Sequence, residues 1–202
     1  MPNFDALLSA LDNRRAEFLH ALETIPPHHL AASPGGAKWS PLQIGEHLLK
    51  LESGFAYVMG RQIEKGDARR DVGEPSERSV EGLIRAMRTP AQFNVPAGVP
   101  SIVPSPDETP SLAQLREDWQ ETGRKWHELA RTLPPDLADT GLVSHAVAGA
   151  MTFEQTLRFL ESHIEHHLHQ LGRTVRVLAW YDNEWAFSVR MADVAVAMGQ
   201  LG

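Results

Sequence analysis

There is no cysteine among the 202 residues of this chain. That absence excludes disulfides, thiolate metal ligands and a cysteine nucleophile. A basic surplus is also missing, because 26 Asp and Glu outnumber 19 Lys and Arg for a formal net charge of −7. Nucleic acid demands clustered positive charge, and the longest basic clusters, Arg14-Arg15 and Arg69-Arg70, are too short to expect it as a partner. No run approaches the roughly 20 apolar residues of a membrane helix, so no membrane partner is expected. The opening, MPNFDALLSALDNRR, has no basic start, apolar core or cleavage site. No signal peptide is expected there, and a cytoplasmic location is the default expectation. A G-x-G-x-x-G turn is lacking too, and with it the signature of a dinucleotide-binding fold.

What the chain does hold is helical pattern, with 42% apolar and 22% charged residues, ordinary values for one globular core. Residues about 3 to 24 carry Phe4, Leu7, Leu8, Leu11, Phe18 and Leu22 at helical spacing, and Pro26-Pro27 ends the pattern. A second helix is expected from Ser40 to about Glu64, with Pro41 in its first position and Gln43 completing a capping box. A third begins at Ser111, again with a glutamine three residues on (Gln114), and runs through Leu115, Trp119, Trp126 and Leu129 to Pro134-Pro135. The fourth opens at Thr152 with Gln155 as its box partner, and Gly172 is its expected stop. Four amphipathic helices without intervening strands predict an all-α, antiparallel four-helix bundle. Between the second and third, a short helix fits Val80 to Met87. Six prolines from Pro90 to Pro110 then predict an extended connection, either a wrap around the bundle or a lid over a site.

The stretch FLESHIEHHLHQLG, residues 159 to 172, places four of the ten histidines within seven positions. On a wheel of roughly 100° per residue with His163 at zero, Leu157, Leu160, Ile164, Leu168 and Leu171 fall between about 60° and 140°. His167 lies at about 40°, beside this apolar arc, whereas His169 lies at about −120°, towards Arg158, Ser162 and Arg173. His166, at about −60°, is intermediate. In the second helix His47 likewise borders the stripe of Ile44, Leu48, Leu51 and Phe55. If both stripes face one core, three imidazoles from two helices can converge. Histidines at i and i+4 can bind one metal, although hydrogen-bonded, half-buried histidines would explain the same spacing. The order of HIEHH is not HExxH, and Glu165, Glu46 and Glu52 all turn away from the histidine rims, so no general base is assigned.

The segment KWSPLQIGEHLLKLE, the entry HAVAGAMT and the run FLESHIEHHLHQLGR together resemble the DinB/YfiT-like family of metal-dependent bundle proteins. That family pairs a W-S/T segment ending in histidine, here Trp39, Ser40 and His47, with a later H-x-x-x-H-x-x-Q, here His163, His167 and Gln170. HAVAGAMT is similar to the family's H-P-x-x-G-x-L-T through His145, Gly149 and Thr152, with Ala146 in place of proline and Met151 in place of leucine. The resemblance covers about residues 1 to 173. It implies a four-helix bundle, frequently a homodimer, with a nickel, zinc or iron ion on His47, His163 and His167. It also implies a small-molecule substrate and hydrolase or thiol-transferase chemistry. A low-molecular-weight thiol would have to be imported, since the chain has no cysteine. The alternative is a non-catalytic, stress-linked binding or scaffold bundle whose histidines are structural or bind metal weakly.

Residues 174 to 202 read differently and are taken as a separate tail, fused or read-through. VRVLAWYD has strand character, and SVRMADVAVAM fits a short helix. WYDNEWAFSVRM is similar to the C-terminal segment of phosphorylating glyceraldehyde-3-phosphate and erythrose-4-phosphate dehydrogenases, departing from it at Ala186 and Val189. In those enzymes the asparagine matching Asn183 approaches the nicotinamide. Dehydrogenase activity is not expected of this chain, which has neither the dinucleotide-binding turn nor the catalytic thiol.

Overall fold

A computed structural model describes residues 3–35, 38–66, 72–89 and 110–199, with side chains described as far as Val177. Its long helices are α1 (Asp5–Glu23), α3 (Pro41–Lys65), α5 (Leu112–Thr132) and α6 (Phe153–Gly199). Two shorter ones, α2 (Pro27–Leu30) and α4 (Glu77–Arg88), lie between them. The anticipated short helix is α4. The proline-rich connection, expected as a wrap or lid, falls on residues 90–109, outside the described residues.

The helix starts follow the local code. The Ser40 hydroxyl accepts from Gln43 N–H, and Gln43 Oε1 accepts from Ser40 N–H, a complete capping box. Thr152 and Gln155 make the same reciprocal pair ahead of α6. Ser111 caps α5 through its hydroxyl, but the Gln114 side-chain amide reaches forward to Asp118 at 2.8 Å.

Two expectations for the end of the chain are corrected. The final helix does not stop at Gly172, and VRVLAWYD is helical, because α6 runs on to Gly199. One glycine inside a helix costs only about 1 kcal/mol, and no proline follows it. Leu171, Thr174 and Val175 continue the buried stripe at helical spacing. Among the described residues no strand pairs with this segment, and strand preference without a partner is weak.

Side-chain pairs give the direction of each neighbour. Phe4 meets Phe153 and Arg14 meets Glu161, so α1 and α6 run parallel. Glu52 meets Trp119 and Gly60 lies against Leu129, so α3 and α5 also run parallel. The α1–α5 and α3–α6 pairs are antiparallel, the first shown by Asp12 with His127 and Glu23 with Arg116, the second by His47 with His163 and Phe55 with Phe159. A parallel α3–α5 pair requires the chain to return to the end where α3 began. Helix α4 makes that return, running up α6 from Glu77 beside Arg158 to Arg88 beside Glu165. Its Val80, Leu83, Ile84 and Met87 are buried in the common core.

The expectation of helices without intervening strands is also corrected, because a small hairpin lies between α5 and α6. Residues 143–151 form an antiparallel hairpin, β1 (Val143–His145) with β2 (Gly149–Met151), in the register Val143 to Met151 and His145 to Gly149. Gly149 has φ +75°, a conformation open to glycine and costly for other residues. The hairpin leads directly into the Thr152 cap of α6.

Candidate metal centre

The second turn of α3 and the first third of α6 meet near the end of the bundle where α3 begins. Close approach of α3 to α5 depends on Gly45, since a β-carbon there would fall 2.5 Å from Leu115 Cδ2. Two residues on, His47 is turned towards α6, and its ring lies 5.3 Å from that of His163 and 5.0 Å from that of His167. One nitrogen from each of the three histidines lies within 4.8 Å of the other two, and all three residues are buried. Trp39 covers the His47 ring at 4.7 Å.

A hydrogen bond orients the ring of His167. His167 Nδ1 donates to Gln170 Oε1 at 2.7 Å, leaving the lone pair on Nε2, 3.0 Å from His163 Nε2. Nitrogens held about 2.0–2.1 Å from one divalent ion lie roughly 3 Å apart, so this pair fits a shared ion. His163 stacks on Phe159 with 15° between the planes, and its Nδ1 is buried with no hydrogen-bond partner among the described residues. Burial, and then the nearby His167 and His47, hold His163 well below the ordinary imidazole range. Burial, and then His47, does the same to His167. Neutral imidazoles with free lone pairs are the form that binds divalent metals. The donor set therefore fits a borderline divalent ion with positions left for water or substrate.

The other two histidines of the cluster separate. His169 is exposed, as expected. His166, intermediate on the wheel, is buried, and its Nδ1 donates to the Met87 carbonyl at 3.0 Å, so it anchors α4 to α6. The acidic residues are committed elsewhere. Glu165 pairs with Arg88 and Glu46 with Lys50. Glu52 is fully inside the bundle, where it accepts from Arg15 and from Trp119 Nε1. Burial pushes the Glu52 carboxyl above its ordinary value, against the pull of the Arg15 guanidinium. Asp12 extends this network by bridging Arg15 and His127.

In the sequence His145 stands out only as part of the HAVAGAMT motif, and the structure brings it to the edge of this site. Its ring lies 4.8 Å from Phe159, and its Nδ1 accepts from Val147 and Ala148 N–H at 3.1 and 3.2 Å. Burial lowers its pKa to about 4. No signal along the sequence places it there, because the contact depends on how the hairpin folds against α6.

Comparisons with known proteins give two kinds of match. A structure of YfiT from Bacillus subtilis, described as a probable metal-dependent hydrolase with an unusual four-helix bundle topology, matches with a TM-score of 0.57 at 16% identity, over 87% of each chain. At that identity the match is one of fold. The tail matches curated glyceraldehyde-3-phosphate dehydrogenases. With that of Cereibacter sphaeroides it is 77% identical over 30 residues, 15% of this chain and 9% of that protein. With that of Xanthobacter flavus it is 74% identical over 31 residues, again 15% and 9%. The chain thus spans about a tenth of the length of these relatives. The model of the DinB superfamily matches residues 10–171, which take in most of α1, all of α2 to α5, the hairpin and all three clustered histidines, and the chain belongs to that superfamily.

Proposed function

We propose that the chain is a divalent-metal-dependent enzyme acting on a small molecule, as a hydrolase or a thiol transferase, with His47, His163 and His167 as the metal ligands. The observation that carries this reading is the convergence of three buried imidazole nitrogens within 4.8 Å of one another. A divalent ion there would lower the pKa of a bound water towards about 7 or hold the thiolate of a low-molecular-weight thiol. Nickel, zinc and iron all suit imidazole donors. Gln170 keeps His167 in the ligating tautomer, and Trp39 and Phe159 wall the centre with apolar surface. The description of YfiT as a probable metal-dependent hydrolase supports the same reading.

We further take residues 1–173 as the functional bundle, working as a homodimer in the cytoplasm, and 174–202 as an appended tail with no part in the chemistry. Metal analysis of untagged protein tests the central point. About one ion per chain is expected, falling to a small fraction in His47→Ala and His163→Ala. Equal metal content in the wild type and both variants would remove the site. Turnover of ester and thiol–electrophile panels above that of free metal separates an enzyme from a non-catalytic bundle.

A further inference from the structure

We propose that His145 is a specificity-determining residue whose Nε2–H donates to an oxygen acceptor on the small molecule held at the His47–His163–His167 centre. This rests on the metal-dependent reading above and adds the shape of the substrate to it.

The tautomer follows from the hairpin. A nitrogen that accepts hydrogen bonds carries no proton, and Nδ1 of His145 accepts two, from the N–H groups of Val147 and Ala148. The neutral ring therefore holds its proton on Nε2. Among the described residues no acceptor is hydrogen-bonded to that nitrogen. The residue is only partly buried, so the donor is reachable. Burial keeps the ring neutral at ordinary pH. A donor fixed in direction and left without a partner is suited to a ligand.

Its place relative to the metal ligands gives the ligand's outline. Rings run in series from His145 to Phe159, from Phe159 to His163, and from His163 to His47, at centroid distances of 4.8, 5.4 and 5.3 Å. Phe159, His163 and His47 are buried, while His145 at the end of the series is partly exposed. Val147, two residues after His145, is 48% exposed, and Phe55, against Phe159, is half-buried. A molecule that binds the ion by one end would lay an apolar body along Phe55 and Phe159. A carbonyl or carboxylate oxygen at its other end would meet His145.

The competing role for His145 is purely local, an acceptor that closes the hairpin turn. Two substitutions separate them. In His145→Asn the short amide can still accept from backbone N–H groups two or three residues on, but it has nothing at the Nε2 position. In His145→Gln the amide nitrogen reaches the Nε2 position while the turn acceptor is lost. The full chain is loaded with cobalt(II) and titrated, by its visible absorption, with benzohydroxamate and 4-carboxybenzohydroxamate. The hydroxamate chelates the ion, and the carboxylate is carried to the far end of the ring. Wild type should bind the carboxylated probe about tenfold more tightly than the plain one, the effect of one charge-assisted hydrogen bond. His145→Asn should lose that preference while keeping wild-type cobalt content, melting temperature and benzohydroxamate affinity. His145→Gln should keep most of the preference despite a less stable hairpin. A preference that is absent from wild type, or that survives in His145→Asn, overturns the proposal. Failure to take up cobalt at all would instead overturn the metal-dependent reading, and this proposal with it. Nitrogen-15 spectra of the imidazoles give an independent reading, and a His145 protonated on Nδ1 would also overturn it.

Discussion

An imidazole buried without a counter-charge stays neutral, and three of the histidines near this site are held that way. Burial sets His163 and His167 well below the ordinary range and His145 at about 4. In the unfolded chain the same rings take up protons near 6.5. Stability is therefore full above about pH 6.5 and is lost as pH falls towards about 4, because the unfolded state binds protons the folded state refuses. Urea midpoints of the metal-free protein should drop across that window, and more shallowly in His145→Asn. A flat profile between pH 7 and pH 5 would show that these rings titrate normally. Gln170 has a different task, since it holds the proton of His167 on the nitrogen away from the centre. Gln170→Ala should weaken metal binding by roughly 10- to 100-fold in competition with a chelator, with little change in melting temperature.

Among the elements, α4 is the one whose attachments can be ranked. Its rim carries ion pairs to α6, from Glu77 and Glu81 to Arg158 and from Arg88 to Glu161 and Glu165. Exposed pairs of this kind contribute about 0–1 kcal/mol each. Its apolar side, Val80, Leu83, Ile84 and Met87, is entirely buried. Truncating one such residue costs about 2–5 kcal/mol. Leu83→Ala should therefore destabilise the protein by several times as much as Arg88→Ala, as read from chemical denaturation. If the two were equal, the helix would be held by charge. Because Met87 O accepts from His166, next to His167 in sequence, looseness in α4 should also broaden the imidazole resonances of the centre.

For the whole molecule, the Arg15–Glu52–Trp119 network joins α1, α3 and α5 through the interior. Removing one partner leaves an uncompensated buried charge, which costs about 3–5 kcal/mol, whereas replacing both by apolar residues is often neutral. Arg15→Met should accordingly be much less stable than the double variant Arg15→Met with Glu52→Leu, a non-additivity measurable in a double-mutant cycle. A chain ending after Val177 retains Thr174 and Val175, which pack on the bundle. It should keep full metal content and cooperative unfolding. Loss of either would make the dehydrogenase-like tail part of the working protein.

Signals spanning one or two helical turns were readable in the sequence. Capping residues marked the starts of α3, α5 and α6, and the wheel put His47, His163 and His167 at the rims of apolar stripes, because burial of a helix follows its own periodicity. The same local logic failed at Gly172, where packing of Leu171 and Val175 outweighed a small conformational cost. The sequence by itself thus determined where the long helices begin, their apolar faces and the histidines that border those faces. Only the tertiary structure decided that α3 and α5 run in the same direction, that Glu52 is buried on a cation, that His166 is tied to α4, and that a hairpin carries His145 to the edge of the centre. Each of these depends on contacts between segments far apart in the chain, and no periodicity within a single segment encodes the neighbour it will meet.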